Sequence, residues 1–355
     1  MVVHIVRRAN RAVGHSFQIC AQIKQNGHHS RMYSAVDRSK GRGYPTLSLE
    51  RSIGDKAGSD VDLWGSGRFD ASVYPDLPII GDSLNDSIEK SIRGIQSEGE
   101  TGRVPFWAVR TVAAQTLGEK AIIENIQHAG SLVQSTGNYK CKGAILMVSG
   151  GHPGRKLPGM ERKLRDSVYM LQQAKKLRAQ GDISGEIGLW AVCNPGVDSV
   201  ASLEEKVEAG AELFLSQPPF LDESCGQWFE MVKERIVPNV PILAGLPMIS
   251  SYKNLIFWIG LCGLDRSKNE VKFLEDSFPR CDSKKVGKES DLSQAILDWN
   301  RTFMAKVREL GFCHLYYCMR NSSELHAGYE ASWCAWCTYY ALDTYWKRND
   351  FQVAG

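Results

Sequence analysis

Glu50 closes the short run TLSLE (residues 46–50), so a carboxylate stands at the end of a candidate strand. A carboxylate held there can give or take a proton during a reaction. A merely solvated strand-end acid is the plainer alternative. Gln217 ends a second run, LFLSQ (213–217), and is followed by Pro218 and Pro219, which stiffen the chain and withhold two N–H donors. Its amide can orient a polar ligand or satisfy backbone groups. Asn194-Pro195 follows a third run, IGLWAVC (187–193). Gly150 and Gly151 open a glycine-rich loop, Gly150-Gly151-His152-Pro153-Gly154-Arg155-Lys156, after a fourth run, GAILMVS (143–149). Loop N–H groups before a helix attract anions, which suits a phosphate. The spacing is that of neither a P-loop nor a dinucleotide fingerprint, so a flexible loop is an equal reading. Cys334-Ala335-Trp336-Cys337 has no second pair or histidines at zinc spacing, and its aromatic surroundings read as packing; no metal site is expected.

These residues share one property: each ends or follows an apolar, strand-like run. Further runs lie at 69–74, 104–112, 240–245 and 314–319. Amphipathic stretches at 84–96, 119–134, 162–180, 203–210, 225–236 and 292–310 read as helices between them. Gly210 and Gly311 stand where helix C-caps belong. Residues 51–68 read as a loop. Alternating strands and helices predict an α/β chain with a parallel sheet. Eight strands predict a single (β/α)8 TIM barrel with an N-terminal extension, its site at the C-terminal strand ends.

The chain has 355 residues, and a barrel of this class needs about 250, which leaves room for an extension rather than a second domain. A charged fraction of 23% and a net charge of +3 give no basic face for nucleic acid. No apolar run reaches the roughly 18 residues of a membrane span, and 254–264 (NLIFWIGLCGL) is too short. The ten cysteines are scattered, so most are expected to be buried free thiols. Residues 1–36 hold no Asp or Glu but carry Arg7, Arg8, Arg11, Lys24 and Arg31, the composition of a mitochondrial presequence. A disordered basic arm is the alternative. The expected organisation is a presequence or arm (1–36), a Gly/Ser-rich linker (37–44), the barrel (45–325) and a C-terminal helix with an aromatic tail (326–355).

Residues 191–221 read AVCNPGVDSVASLEEKVEAGAELFLSQPPFL, and a Trp/Phe-rich stretch then leads to VPILAGLPMIS (240–250). This pattern resembles the methylenetetrahydrofolate reductase family. SIRGIQSEGETGRVPF (91–106) and LYYCMRN (315–321) extend the resemblance, which covers roughly residues 46–321. It implies reduction of methylenetetrahydrofolate, with NAD(P)H passing hydride through FAD. Glu50 matches the family's catalytic glutamate and Gln217 its folate-orienting glutamine. Asn194 is placed with them as substrate-binding, and Lys206, Gly150 and Gly151 fall on the cofactor side.

The flavin side departs from the family pattern at three places. Gly151 stands for the family's flavin-facing aspartate, and Phe106 for a histidine after proline. Glu205-Lys206 stands for a basic pair facing the FAD pyrophosphate, and a carboxylate there repels phosphate. These departures imply a degraded flavin site, with FAD expected from the family but doubtful here. The reading they favour is a non-catalytic accessory subunit of a larger mitochondrial assembly, for example of the respiratory chain. Two alternatives stay open: an active folate one-carbon oxidoreductase using NAD(P)H, and a folate-binding protein without redox activity.

Overall fold

The computed structural model describes residues 47–50, 71–74, 107–114, 118–134, 142–149, 165–237, 240–247, 249–280, 289–310, 312 and 314–318. Eight strands lie among them: β1 Leu47–Glu50, β2 Ala71–Tyr74, β3 Trp107–Ala113, β4 Lys142–Val148, β5 Gly188–Cys193, β6 Leu213–Ser216, β7 Ile242–Pro247 and β8 His314–Cys318. Each pairs in parallel with its neighbour in chain order, and β8 pairs with β1, so the ring closes. The described helices are α1 Glu119–Val133, α2 Ser167–Gln180, α3 Val200–Ala209, α4 Asp222–Arg235, α5 Tyr252–Leu261, α6 Asn269–Ser277 and α7 Glu289–Glu309.

Local chemistry explains the boundaries. Asp166 accepts from the Tyr169 N–H at 2.9 Å and starts α2, and Ser199 accepts from the Ser202 N–H and starts α3. Helix α3 therefore begins three residues before the apolar periodicity predicts. Its end is the expected one: Gly210 adopts φ 119° and closes the C-cap. Asp222 and Glu223 lie in the first turn of α4, and Lys233 and Arg235 in its last, all complementing the helix dipole. Gly311 and the predicted helix at 84–96 lie outside the described residues, as do the N-terminal arm, the linker and the aromatic tail.

Alternation along the strands decides which side chains point inward. The rings of Trp107 on β3 and Trp190 on β5 meet at 5.7 Å although β4 lies between them, as the converging inner side of a barrel allows. Gly143 faces the other way, because a Cβ there would lie 2.2 Å from the Val133 carbonyl oxygen at the end of α1. Register then carries the inward set around the ring: Thr111 aligns with Leu146, Leu146 with Trp190, Trp190 with Leu213 and Leu215 with Leu243. The outward set meets the helices and forms one continuous core with them. Phe220 of the β6–α4 connection stacks on Phe303 of α7 at 5.1 Å, and Phe229 of α4 meets Phe312 at 4.5 Å.

Helices α5 and α6 depart from the sequence expectation, which noted only an apolar run at 254–264. They form an extra hairpin between β7 and α7. The buried Asn300 of α7 donates to the Ile249 carbonyl and accepts from the Ile249 N–H, which pins α7 to the chain just after β7. The helical period is hard to see because α5 is apolar on both sides: Leu255, Trp258 and Ile259 are buried, while Phe257 and Leu261 are exposed.

Gly143→Ala tests the α1–β4 approach. The added methyl would strike backbone, so stability should fall by about 1–3 kcal/mol, read from urea unfolding midpoints. Gly185→Ala, where the methyl meets open space, should stay within about 0.5 kcal/mol of the parent. Equal midpoints for the two variants would contradict the packing described.

Candidate functional site

Glu50, Asn194 and Gln217 stand at the C-terminal ends of their strands. Gln217 follows β6, and its N–H donates to the Cys193 carbonyl at 2.7 Å, continuing the β5–β6 ladder. The alternation from Leu213 and Leu215 thereby places Gln217 on the inner side of the mouth, half-buried. Its side-chain amide makes no hydrogen bond to a described residue. Val148 and Val192 share that rim and are also partly exposed.

A second contact holds this turn. The Gly245 N–H donates to the Ser216 hydroxyl oxygen at 3.0 Å, and that hydroxyl donates to the Gln217 carbonyl at 2.8 Å. A Cβ on Gly245 would lie 2.3 Å from the Ser216 carbonyl oxygen. Glycine is thus required for β7 to come this close. Ser216 and Gly245 position Gln217, and sequence reading did not single out either one.

Glu50 ends β1, and its register partner is Val73 on β2, which aligns in turn with Val109 on β3. Gly150 and Gly151 lie outside the described residues, as do Phe106 and Cys334–Cys337.

Asn194 and Lys206 are engaged by the protein itself. The Lys206 ammonium donates to the Val192 carbonyl at 2.9 Å and to Asp198 Oδ2 at 3.2 Å, and its side chain is only 11% exposed. Asp198 Oδ2 also accepts from the Asn194 N–H, and its carbonyl accepts from Trp228 Nε1 at 2.7 Å. Lys206 therefore clasps the loop after β5 to the strand's last turn. Asp198, four residues beyond Asn194 in NPGVDS, is the partner the sequence reading missed. Asn194 Nδ2 donates to the Cys262 carbonyl at 2.7 Å, tying the same loop to the end of α5. Its Oδ1 is buried and has no hydrogen-bond partner among the described residues. Glu205 is exposed.

The hairpin thus lies beside the strand ends. Glu270 of α6 fixes it there from a second side, accepting from the Glu223 and Ser224 N–H groups and from the Ser224 hydroxyl at the start of α4. Within the hairpin, Arg266 donates twice to Glu275 at 2.6 and 2.8 Å, and the Tyr252 hydroxyl donates to Glu275 at 2.7 Å. These partners, Arg266 first, hold the Glu275 carboxyl down at about 2.

The cysteines near the β5 loop offer no nucleophile. Burial pushes the Cys225 and Cys262 thiols up to about 12 and raises Cys193 further, with Asp198 adding to the last effect. Each stays a neutral thiol at ordinary pH. Among the described residues no group of three or more His, Cys, Asp or Glu could hold a metal ion, and no helix is long and apolar enough to cross a membrane.

Two expectations test these contacts. Lys206→Met strips partners from the Val192 carbonyl and Asp198, so unfolding stability should drop by about 1.5–3 kcal/mol. Glu205→Ala on the exposed side of α3 should change it by less than about 0.5 kcal/mol. Similar effects of the two would mean that the clasp is not formed. Glu275 titrates lower in the folded chain than its ordinary 4.5, so its stabilisation is complete above that value and disappears as the pH falls toward about 2. Acid unfolding curves should show this loss in the parent, and Glu275→Gln should remove that component. An identical acid slope in both proteins would count against the Arg266–Glu275 pairing.

The model of the methylenetetrahydrofolate reductase family matches residues 123–277. No curated protein matches the sequence. Among solved structures, 2,3-dimethylmalate lyase is similar at 12% identity and TM-score 0.39, covering 77% of this chain and 96% of that one. Dihydropteroate synthase of Burkholderia cenocepacia is similar at 11% identity and TM-score 0.39, covering 86% and 93%. The 4-hydroxy-tetrahydrodipicolinate synthase of Methylacidiphilum fumariolicum SolV is similar at 13% identity and TM-score 0.37, covering 75% and 99%. The matched residues run from α1 through β4–β7 and the clasped β5 loop to the end of the α5–α6 hairpin. The match over residues 123–277 supports a relation of this chain to the methylenetetrahydrofolate reductase family.

Proposed function

We propose that the chain is a full (β/α)8 barrel with an N-terminal extension that has given up flavin chemistry. In this reading it serves as a non-catalytic accessory subunit of a larger mitochondrial assembly, such as a respiratory-chain complex. One observation carries the reading. Lys206 is the basic residue left where the family faces the FAD pyrophosphate, and its ammonium is already bound to the Val192 carbonyl and to Asp198. A cation neutralised by its own carboxylate attracts phosphate weakly, and the adjacent exposed Glu205 repels it. These residues do not fit a tightly held FAD, so no hydride step is assigned to Glu50. The acid-free, basic residues 1–36 support mitochondrial import.

A second reading keeps the ligand and drops the redox chemistry. Gln217 presents a half-buried amide on the inner side of the mouth with no hydrogen bond to a described residue. An amide carried on backbone that Ser216 and Gly245 fix is suited to a pterin-like ring edge, which supports a folate-binding protein.

The purified full chain should show no flavin absorbance, and none should remain after incubation with FAD and gel filtration. On native gels of mitochondrial extract it should run far above the monomer and dimer positions. Retained flavin with folate-dependent NAD(P)H oxidation would overturn the accessory reading in favour of an active one-carbon oxidoreductase. Tetrahydrofolate binding weakened by Gln217→Ala, without NAD(P)H oxidation, would instead establish the second reading.

A further inference from the structure

We propose that Thr111 is the floor of a ligand slot whose rim is Gln217, and that the slot takes an uncharged nitrogen heterocycle by its polar edge. The proposal rests on the reading of this barrel as a ligand-binding protein without redox chemistry. It adds the group that sets how deep a ligand sits.

Register places the two residues. Thr111 aligns with Leu146 and Leu146 with Trp190, so Thr111 belongs to the inward set. Followed in chain order, each paired residue lies further from the mouth. Glu50, the last residue of β1, pairs with Val73, Val73 with Val109, Val109 with Ala144, and Ala144 with Gly188, the first residue of β5. A circuit of such a barrel slips by about eight residues, one per strand, and alternate strands supply each layer of inward side chains. Thr111 of β3 therefore shares a layer with Val192 of β5 and Gly245 of β7. Gln217, just past β6, stands one step nearer the mouth.

Protein side chains do not fill this layer. Gly245 adds none, and Val192 is partly exposed, as is Val148 on the rim. Open space at the mouth thus reaches the level of Thr111. Thr111 is itself only 7% exposed, and its hydroxyl makes no hydrogen bond to a described residue. Burying a hydroxyl without a partner is costly, and valine has nearly the same shape without that penalty. A ligand that supplies the partner offsets it.

The lining points to the class of ligand. Leu146, Val148, Val192 and Leu215 are the inward neighbours at this end of β4, β5 and β6. Their apolar surface suits the face of a ring and disfavours a buried charge. The Thr111 hydroxyl and the Gln217 amide each donate and accept. A ring with N–H and C=O groups side by side on its edge meets both, whereas a phosphate or carboxylate offers acceptors alone.

Titration of the full chain with pterin and with lumiflavin, followed by ligand fluorescence, tests the proposal. The parent should bind at least one of the two rings. Thr111→Val should weaken that binding on the order of tenfold. Thr111→Ser, which keeps the hydroxyl, should restore most of it. Without ligand, Thr111→Val should melt at or above the parent temperature, because it loses a buried hydroxyl that had no partner. A lower melting temperature would show the hydroxyl to be bonded within the protein and overturn the proposal. So would a parent that binds neither ring, or binding that Thr111→Val leaves unchanged. Tetrahydrofolate binding weakened by Gln217→Ala but not by Thr111→Val would remove Thr111 from the site and leave the folate reading intact. Lumiflavin binding weakened by both variants, with no binding of pterin or tetrahydrofolate, would keep the slot and end the folate reading.

Discussion

Parallel pairing around a closed ring leaves little freedom once one residue's direction is known. Trp107 and Trp190 meet across β4, and from that contact the inward set follows strand by strand. A slip of one residue in β6 would turn Leu213, Leu215 and Gln217 toward the helices and drive Phe214 into the interior. The buried surfaces on both sides of the sheet oppose such a slip. Gln217 faces the mouth because the whole ring is in register, and its own surroundings only refine that placement.

Two clamps refine it. The Ser216 hydroxyl takes over where the β6–β7 ladder stops, bridging the Gly245 N–H and the Gln217 carbonyl. Lys206 does the equivalent work one strand away, joining the end of β5 to Asp198. Both clamps satisfy backbone groups that would otherwise be left unpaired where the strands end. The ends of β5, β6 and β7 are therefore preorganised by protein contacts. In the proposed reading this bears directly on chemistry, because the cation that closes the β5 loop is the one a phosphate would need.

Much of this was legible in the sequence. The apolar runs marked the strands, and the helix at 119–134 was placed within a residue of its end, because its buried positions recur with a clean period. The starts of α3 and α4 were placed three residues late: α4 opens on the polar turn Asp222–Ser224, and in α3 the Ser199 cap and the buried Val200 after it were passed over. Gly210 was readable because only a few residue types tolerate its φ of 119°. The hairpin was not readable in the same way. Helix α5 carries apolar residues on its exposed side, which erases the contrast that reveals a helix. The partner of Lys206 was also hidden, since nothing local shows that Asp198, eight residues earlier, folds back on it.

In the proposed reading, the same residues explain how family resemblance and activity separate in this chain. The run from Asn194 to Leu221 keeps the backbone devices of the fold: the turn after β5, the capped α3 and the bridged end of β6. Those devices act through N–H and carbonyl groups and would persist whether or not a cofactor binds. Cofactor affinity rests instead on the few side chains aimed at the ligand, and one substitution can reverse the sign of a phosphate contact. In the proposed reading Glu205 and the internally paired Lys206 occupy that sensitive position, whereas Ser216 and Gly245 serve the fold. A barrel can therefore hold its architecture while losing its original chemistry, with its stable outer surface left available for another use.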